Sequence, residues 1–102
     1  MNPGPIQNLD RVIHERARLA IMSLLAASPE VSFTELRDTL GHTDGNLMAH
    51  LRTLHEAGYI AVTKTFQNHR PLSTYSLTAK GRKAFEGYIS LLAEIVKQTR
   101  SP

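Results

Sequence analysis

SFTELRDTLGHTDGNLMAHLRTLHEAGYIAVTKTFQNHRPLSTYSLTAKG, residues 32–81, decides the fold. Ser32 and Glu35 stand three apart, the spacing of a capping box in which two side chains reciprocally satisfy free backbone N–H groups. The helix they open runs from Phe33 to Leu40, turns Leu36 and Leu40 inward, and stops at Gly41, a residue that accepts the left-handed conformation. Thr43 and Asp44 are alternative N-caps for a second helix reaching Ala57, which Gly58 closes in the same way. Ile60 to Phe66 and Leu72 to Leu77 are rich in β-branched and aromatic residues. The five residues between them include Asn68 and Pro71 and suit a hairpin loop. Thr78 then caps a long last helix.

Upstream, Val12, Ile13, Ala17, Ala20, Ile21, Leu24 and Leu25 recur with helical period, which predicts a first helix from Leu9 to Ala27. Ser28-Pro29 ends it, because the residue before proline is driven out of helical geometry. Val31 to Phe33 is long enough only for a very short strand. The expected fold is mainly α with a small antiparallel β wing (α+β), in the order helix, short strand, helix, helix, strand, wing, strand, helix. That is a winged helix-turn-helix, which presents one helix and one hairpin to a common target, usually duplex DNA. Residues 1–8, with Pro3, Gly4 and Pro5, read as a flexible arm, 9–97 as the domain with 78–97 its dimerisation helix, and 98–102 as a flexible tail.

Composition narrows the function. A chain of 102 residues suits one domain and one core, without a separate effector-sensing unit. The absence of cysteine excludes disulfides, thiolate metal sites and thiol nucleophiles, and fits a cytoplasmic location. The longest apolar run, Leu19 to Ala27, is too short to span a bilayer, and residues 1–5 lack the pattern of a secretion signal. The net charge of +3 is unevenly placed. No acid occurs between Ala57 and Phe85, whereas Lys64, Arg70, Lys80, Arg82 and Lys83 do, so this stretch suits a polyanion. In the segment before it, Glu35, Asp38, Asp44 and Glu56 outnumber Arg37 and Arg52. The wing should therefore attract phosphates, and the second helix of the motif should read bases.

On that helix Leu47, Leu51 and Leu54 share the inward face. Gly45, Asn46, Ala49, Arg52, Thr53 and Glu56 point outward, with Met48 and His50 at the flanks. An amide such as that of Asn46 can donate to and accept from adenine at once, and Arg52 can reach phosphate or guanine. Gly45 and Ala49 are small enough for close approach to a groove floor. His50, Thr53 and Ser32 offer hydrogen bonds. The expected DNA-contacting set is Ser32, Thr43, Asp44, Gly45, Asn46, Ala49, His50, Arg52 and Thr53, with Lys64, His69 and Arg70 from the wing. Asn46 also suits a plain capping position, and Lys64 and Arg70 also suit a solvated hairpin that resists edge pairing.

The last helix carries two apolar stripes, Phe85, Ile89, Leu92, Val96 and Ala84, Tyr88, Leu91, Ile95. One stripe covers a small core; the second calls for a partner chain. Gly87 within it costs about 1 kcal/mol relative to alanine, which a close helix crossing and a tolerated surface glycine explain equally.

The run Ala49-His50-Leu51-Arg52-Thr53-Leu54-His55-Glu56-Ala57-Gly58-Tyr59-Ile60 resembles the end of the recognition helix in ArsR-like and MarR-like winged-helix regulators. Asn68-His69-Arg70 and Leu77-Thr78-Ala79-Lys80-Gly81-Arg82 are similar to the wing and wing exit of MarR-like proteins. The resemblance covers about residues 10–97. It implies a homodimeric regulator, expected to be a repressor, that binds an inverted-repeat operator with helix 43–57 in the major groove and wing 66–72 at the minor groove. Arg70 would be the wing arginine. It further implies dimerisation through the first and last helices, for which the candidates are Val12, Leu19, Phe85, Tyr88, Ile89, Leu91, Leu92, Ile95 and Val96. Asn68 stands where MarR-like wings commonly place an acid, and the cysteine metal motif of classical ArsR sensors is absent. The partners expected are double-stranded DNA and a second copy of the chain, with no membrane; a small-molecule or protein effector is left open.

The competing reading is a winged helix used only for protein–protein contact, which the acid-free stretch disfavours. His14, His42, His50, His55 and His69 do not share a compact metal-ligand spacing, and no nucleophile triad, phosphate-cradling glycine loop or paired carboxylate appears. No metal, cofactor or enzymatic activity is expected.

Overall fold

Each cap read between Ser32 and Gly58 forms in the computed structural model of the chain, which describes residues 4–100. The elements are α1 (Gly4–Gln7), α2 (Arg16–Ala27), β1 (Val31–Ser32), α3 (Phe33–Leu40), α4 (Asp44–Glu56), β2 (Ile60–Gln67), β3 (Arg70–Leu77) and α5 (Ala79–Arg100). The Ser32 hydroxyl accepts from the Glu35 N–H at 3.1 Å while the Glu35 carboxylate accepts from the Ser32 N–H at 3.2 Å. Gly41 closes α3 with φ +70°. At the end of α4, Gly58 N–H donates to His55 and Tyr59 N–H to Leu54, the paired bonds of a Schellman motif, with Gly58 at φ +82°.

The strands form one antiparallel sheet in the order β1-β3-β2. Val31 and Val62 both pair with Tyr75, and Ile60 pairs with Leu77. These residues face the core, where Ile13, Ile21, Met22, Leu25, Leu36, Leu47, Leu51 and Leu54 are fully buried. The inward face of α4 is thus the one read from the sequence, and the helix is anchored against α2, α3 and the sheet.

Four local expectations are corrected. The first helix begins at Arg16 rather than Leu9. Asp10 Oδ1 accepts from the N–H groups of Val12 and Ile13, folding a turn, and Glu15 in an extended conformation accepts from Arg18 N–H as the N-cap. Within the expected arm, residues 4–7 form the short helix α1 against α5, and Leu9 is buried; residues 1–3 lie outside the described residues. The strands of the hairpin also run further than expected, leaving only Asn68-His69 as the turn, both at positive φ (52° and 64°). Two such residues define a type I′ turn, whose twist matches the flanking strands. Pro71 is therefore a strand residue. At the other end α5 continues through the expected tail to Arg100, and residues 101–102 lie outside the described residues.

The Ala57-Gly58-Tyr59 corner and the Thr78-to-Gly81 segment turn out to be two halves of one joint. Thr78 N–H donates to the Tyr59 carbonyl at 3.1 Å, and the Thr78 hydroxyl donates to the Gly58 carbonyl at 2.6 Å while accepting from Gly81 N–H at 2.9 Å. A Cβ at Gly81 would stand 1.9 Å from the Tyr59 carbonyl oxygen, so only glycine lets α5 start this close to the corner. Lys80 lays its ammonium 5.8 Å from the centre of the Tyr59 ring. On the other side of the joint the Tyr59 hydroxyl donates to Asp10. Burial, and then that carboxylate, push the Tyr59 hydroxyl up to about 12.

The two stripes of α5 divide. Tyr88 is buried, and Ala84, Leu91 and Ile95 pack on the core. Phe85 and Leu92 of the other stripe are half-buried against the same core, whereas Ile89 and Val96 stay 45% and 50% exposed.

Candidate nucleic-acid interface

α4 presents its outward face without obstruction. Gly45, Asn46, Met48, Ala49, Arg52, His55 and Glu56 are exposed, and half-buried Thr53 returns its hydroxyl to the Ala49 carbonyl at 3.2 Å. Thr43 is the N-cap, its hydroxyl accepting from Asn46 N–H at 3.2 Å. This settles the choice between Thr43 and Asp44, and it leaves the Asn46 amide group free of the capping role, which Thr43 fills. Asp44 is held by Arg37 of α3 at 3.2 Å; the same guanidinium meets Asp38 at 3.2 Å. Asp44, the acid at the start of α4, is thereby paired with a cation from the preceding helix.

His50 is placed differently from the expectation. Its ring turns toward α2, where Arg18 Nη1 lies 3.3 Å and the Glu15 carboxylate 3.7 Å from Nδ1. A neutral ring accepts from Arg18; a protonated one faces Glu15. Burial raises the Glu15 pKa, but the Arg18 N–H together with the charges of His50 and Arg18 hold it below its ordinary value. His42 stands nearby, with its ring centre 6.1 Å from that of His50. Ser32 is the cap of α3, as its spacing from Glu35 predicts, with its hydroxyl accepting from the Glu35 N–H. No group of three or more metal-ligating side chains occurs among the described residues.

Beyond α4 the hairpin projects with Lys64, His69 and Arg70 exposed. A cleft of about 250 Å³ runs between helix and hairpin, lined by Met48, Leu51, Arg52, His55, Val62, Lys64, Ser73 and Tyr75. Arg52 and His55 of the helix and Lys64 of the hairpin therefore border one groove. Met48 and His55 were not among the expected contacts, although their spacing about Arg52 on the helix already placed them on this side. Phe66, 77% exposed near the hairpin tip, was also missed, because a strand aromatic reads by default as core.

Of the expected dimer residues, Tyr88 is taken up within the chain: its hydroxyl and His14 Nδ1 are hydrogen-bonded at 2.7 Å, and the ring is buried. Val12, Leu19, Phe85, Leu91, Leu92 and Ile95 are half-buried and pack on the core cluster of the same chain. Ile89 and Val96 are the open ones. No helix among the described residues is long and apolar enough to cross a membrane.

Comparison with known proteins places this geometry. Residues 17–96 match the family model described as winged helix DNA-binding domain. An uncharacterized protein of Methanocaldococcus jannaschii is 32% identical over 87 residues, 85% of this chain and 95% of the relative. A transcriptional regulator homologue from Pyrococcus horikoshii superposes with a TM-score of 0.85 at 22% identity, covering 96% of this chain and 95% of that one. PadR of Bacillus subtilis, solved in complex with operator DNA, gives a TM-score of 0.65 at 21% identity over 74% of this chain and 48% of its own. Regulators of the MarR and ArsR families are among the other solved structures of this fold. The resemblance read from residues 49–60 and 68–82 thus points to the right group.

Proposed function

The chain belongs to the winged helix DNA-binding domain family, and on that premise we propose that it is a transcriptional repressor that binds an inverted-repeat operator as a homodimer. In this reading α4 enters the major groove and the wing, residues 66–72, lies at the minor groove. The observation that carries it is the groove shared by α4 and the hairpin, in which exposed Arg52 and His55 of the helix face Lys64 of the strand, with Asn46 and Ala49 exposed on the same helix, Arg70 exposed at the hairpin tip, and no acid between Ala57 and Phe85. Asn46 and Arg52 read base edges, Gly45 and Ala49 allow close approach, and Thr43, Thr53, Lys64, His69 and Arg70 hold phosphates. Asp44, paired with Arg37 at 3.2 Å, stands exposed beside Asn46 at the helix start, within the same expected contact set.

The second copy meets the first through the α5 stripe of which Ile89 and Val96 are open and Phe85 and Leu92 half-buried. Two symmetry-related recognition helices then reach successive major grooves, so half-sites lie about one helical turn apart. PadR, whose fold this chain shares, was solved on its operator, which supports duplex DNA as the target.

Titration of duplex fragments against salt is the direct test. Several basic contacts per subunit give a steep fall of log affinity with log salt, and a flat response sinks the reading. Asn46→Ala should change which sequence is preferred, whereas Lys64→Ala should weaken all sequences alike; the reverse pattern would reassign the roles. For the dimer, Ile89→Glu with Val96→Glu should halve the solution mass without unfolding the chain, and an unchanged mass would place the interface elsewhere.

A further inference from the structure

The hairpin ends in an aromatic side chain that the fold does not use. Phe66 is 77% exposed, more than any other large hydrophobic side chain among the described residues, and its register partner Pro71 is exposed as well. In the β2–β3 pairing, Val62 faces Tyr75, Lys64 faces Ser73 and Phe66 faces Pro71. Residues two apart on a strand, and directly opposed pairs, share one face of a sheet. Val62 and Tyr75 turn toward the core, and Lys64 and Ser73 line the cleft beside α4. Phe66 and Pro71 therefore continue the α4-facing side of the hairpin, about 7 Å beyond Lys64.

We infer that Phe66, backed by Pro71, is an apolar wedge for the minor groove, packing between base steps beside the site that α4 reads. This rests on the DNA-binding reading above and adds a specificity-determining residue to it. The surroundings select the occupant: the nearest charged side chains along the hairpin are Lys64 and Arg70, and the chain has no acid from Ala57 to Phe85, a setting suited to a polyanion. Phe and Pro are residue types that can enter a minor groove and partly unstack its base steps. Such a contact favours flexible pyrimidine–purine steps without any hydrogen bond to a base. The wing would then contribute sequence preference as well as phosphate attraction.

The test uses random duplexes of about 30 bp, long enough for two half-sites one turn apart, enriched by the full-length wild-type chain. On the enriched duplexes Phe66→Ala should bind about tenfold more weakly, the loss of one aromatic–base contact. Its salt slope should match that of the wild type, since no charge is removed. Repeating the enrichment with Phe66→Ala should lose pyrimidine–purine steps at the wing positions, and the melting temperature should not move. Phe66→Trp introduces the sole tryptophan of the chain and should keep the affinity while its emission is quenched by DNA. Wild-type affinity for Phe66→Ala, or Phe66→Trp emission indifferent to DNA, overturns the wedge. A fall in solution mass for Phe66→Ala at unchanged affinity per dimer overturns it too, by assigning Phe66 to contact between copies. Failure of the wild type to enrich any duplex removes the DNA-binding reading itself, and the wedge with it; an indifferent Phe66→Ala beside a working wild type removes the wedge alone.

Discussion

The joint at Gly58, Tyr59, Thr78 and Gly81 and the tip at Asn68-His69 are the two ends of the same β2–β3 hairpin, and they obey opposite rules. At the joint the backbone of α5 passes so close to the corner after α4 that no Cβ fits at Gly81, and Thr78 bonds both sides. At the tip Gln67, Asn68, His69 and Arg70 are all exposed, and the turn uses two non-glycine residues at positive φ. Composition at the joint is dictated by packing. The fold dictates little at the tip beyond the turn, so the basic and aromatic residues there report on what the hairpin meets outside the chain.

Gly81→Ala tests the joint most severely. Relief of a 1.9 Å contact with a backbone oxygen requires α5 to shift as a body. The expected cost is about 3 kcal/mol or more, a fall in melting temperature of about 15 °C for a domain of this size. Alanine is otherwise the better helix former by about 1 kcal/mol. An unchanged or raised melting temperature would mean that the joint is looser than its geometry.

Tyr59→Phe probes the other side of the joint. Removing the hydroxyl that donates to half-buried Asp10 should cost about 2 kcal/mol at neutral pH, as for hydrogen bonds to charged groups. The sign with pH follows from a hydroxyl raised from 10.0 to about 12. Because the folded state favours the neutral phenol, its stabilising effect is fully present below pH 10 and is lost as pH rises toward 12. Thermal melts between those limits should show the wild type losing its advantage over Tyr59→Phe; parallel curves would disconnect Asp10 from Tyr59.

At the tip the same scale of change should leave stability alone. Arg70→Ala is expected to melt like the wild type yet bind every duplex about tenfold more weakly, with a shallower salt slope. A drop in melting temperature comparable to that of Tyr59→Phe would show that the tip is structural after all, and the contrast between the two ends would collapse.

What was legible in the sequence follows the same division. Ser32 with Glu35, Gly41 and Gly58 were readable because caps are local chemistry, settled within a few residues. The inward leucines of α4 were readable because period alone fixes them. The start of α2 was not: the apolar rhythm continues through residues 12–17, and only the side chains of Asp10 and Glu15, accepting backbone N–H groups, break it. Nor was Tyr88, whose partner His14 is remote in sequence. The hairpin loop looked longer than it is because Pro71 suggested a turn, and Asn68-His69 lacks the glycine that usually marks a type I′ turn. In the candidate interface the exposed face of α4 was legible, whereas the rotation of His50 toward Glu15 and Arg18 depends on a neighbouring helix. The motif residues 78–81 were recognisable by likeness, but the reason for Gly81 appears only when the Tyr59 carbonyl is seen against it.

Gly87→Ala is the control for Gly81→Ala in the same helix. No atom stands within 4 Å of the Cβ it would gain. The monomer should therefore be stabilised by about 1 kcal/mol. If a second copy crosses α5 closely at this point, the added methyl should instead weaken the dimer, so melting at low and high protein concentration separates the two effects.

The smallest gain in stability expected, at a position that separates fold from function, is that of His69→Gly. A non-glycine residue at φ +64° is strained, and glycine converts Asn-His to the Asn-Gly pair that type I′ turns favour. The greater freedom of glycine in the unfolded chain offsets part of the gain, leaving about 0.5 kcal/mol in favour of the variant. Amide exchange in β2 and β3 near the turn should slow, while the distant joint is unaffected. If the imidazole of His69 holds a phosphate, the same substitution weakens DNA binding as it firms the hairpin. Histidine at a left-handed position would then be retained for the partner at the expense of the turn, and a variant that gains both stability and affinity would show that His69 serves neither.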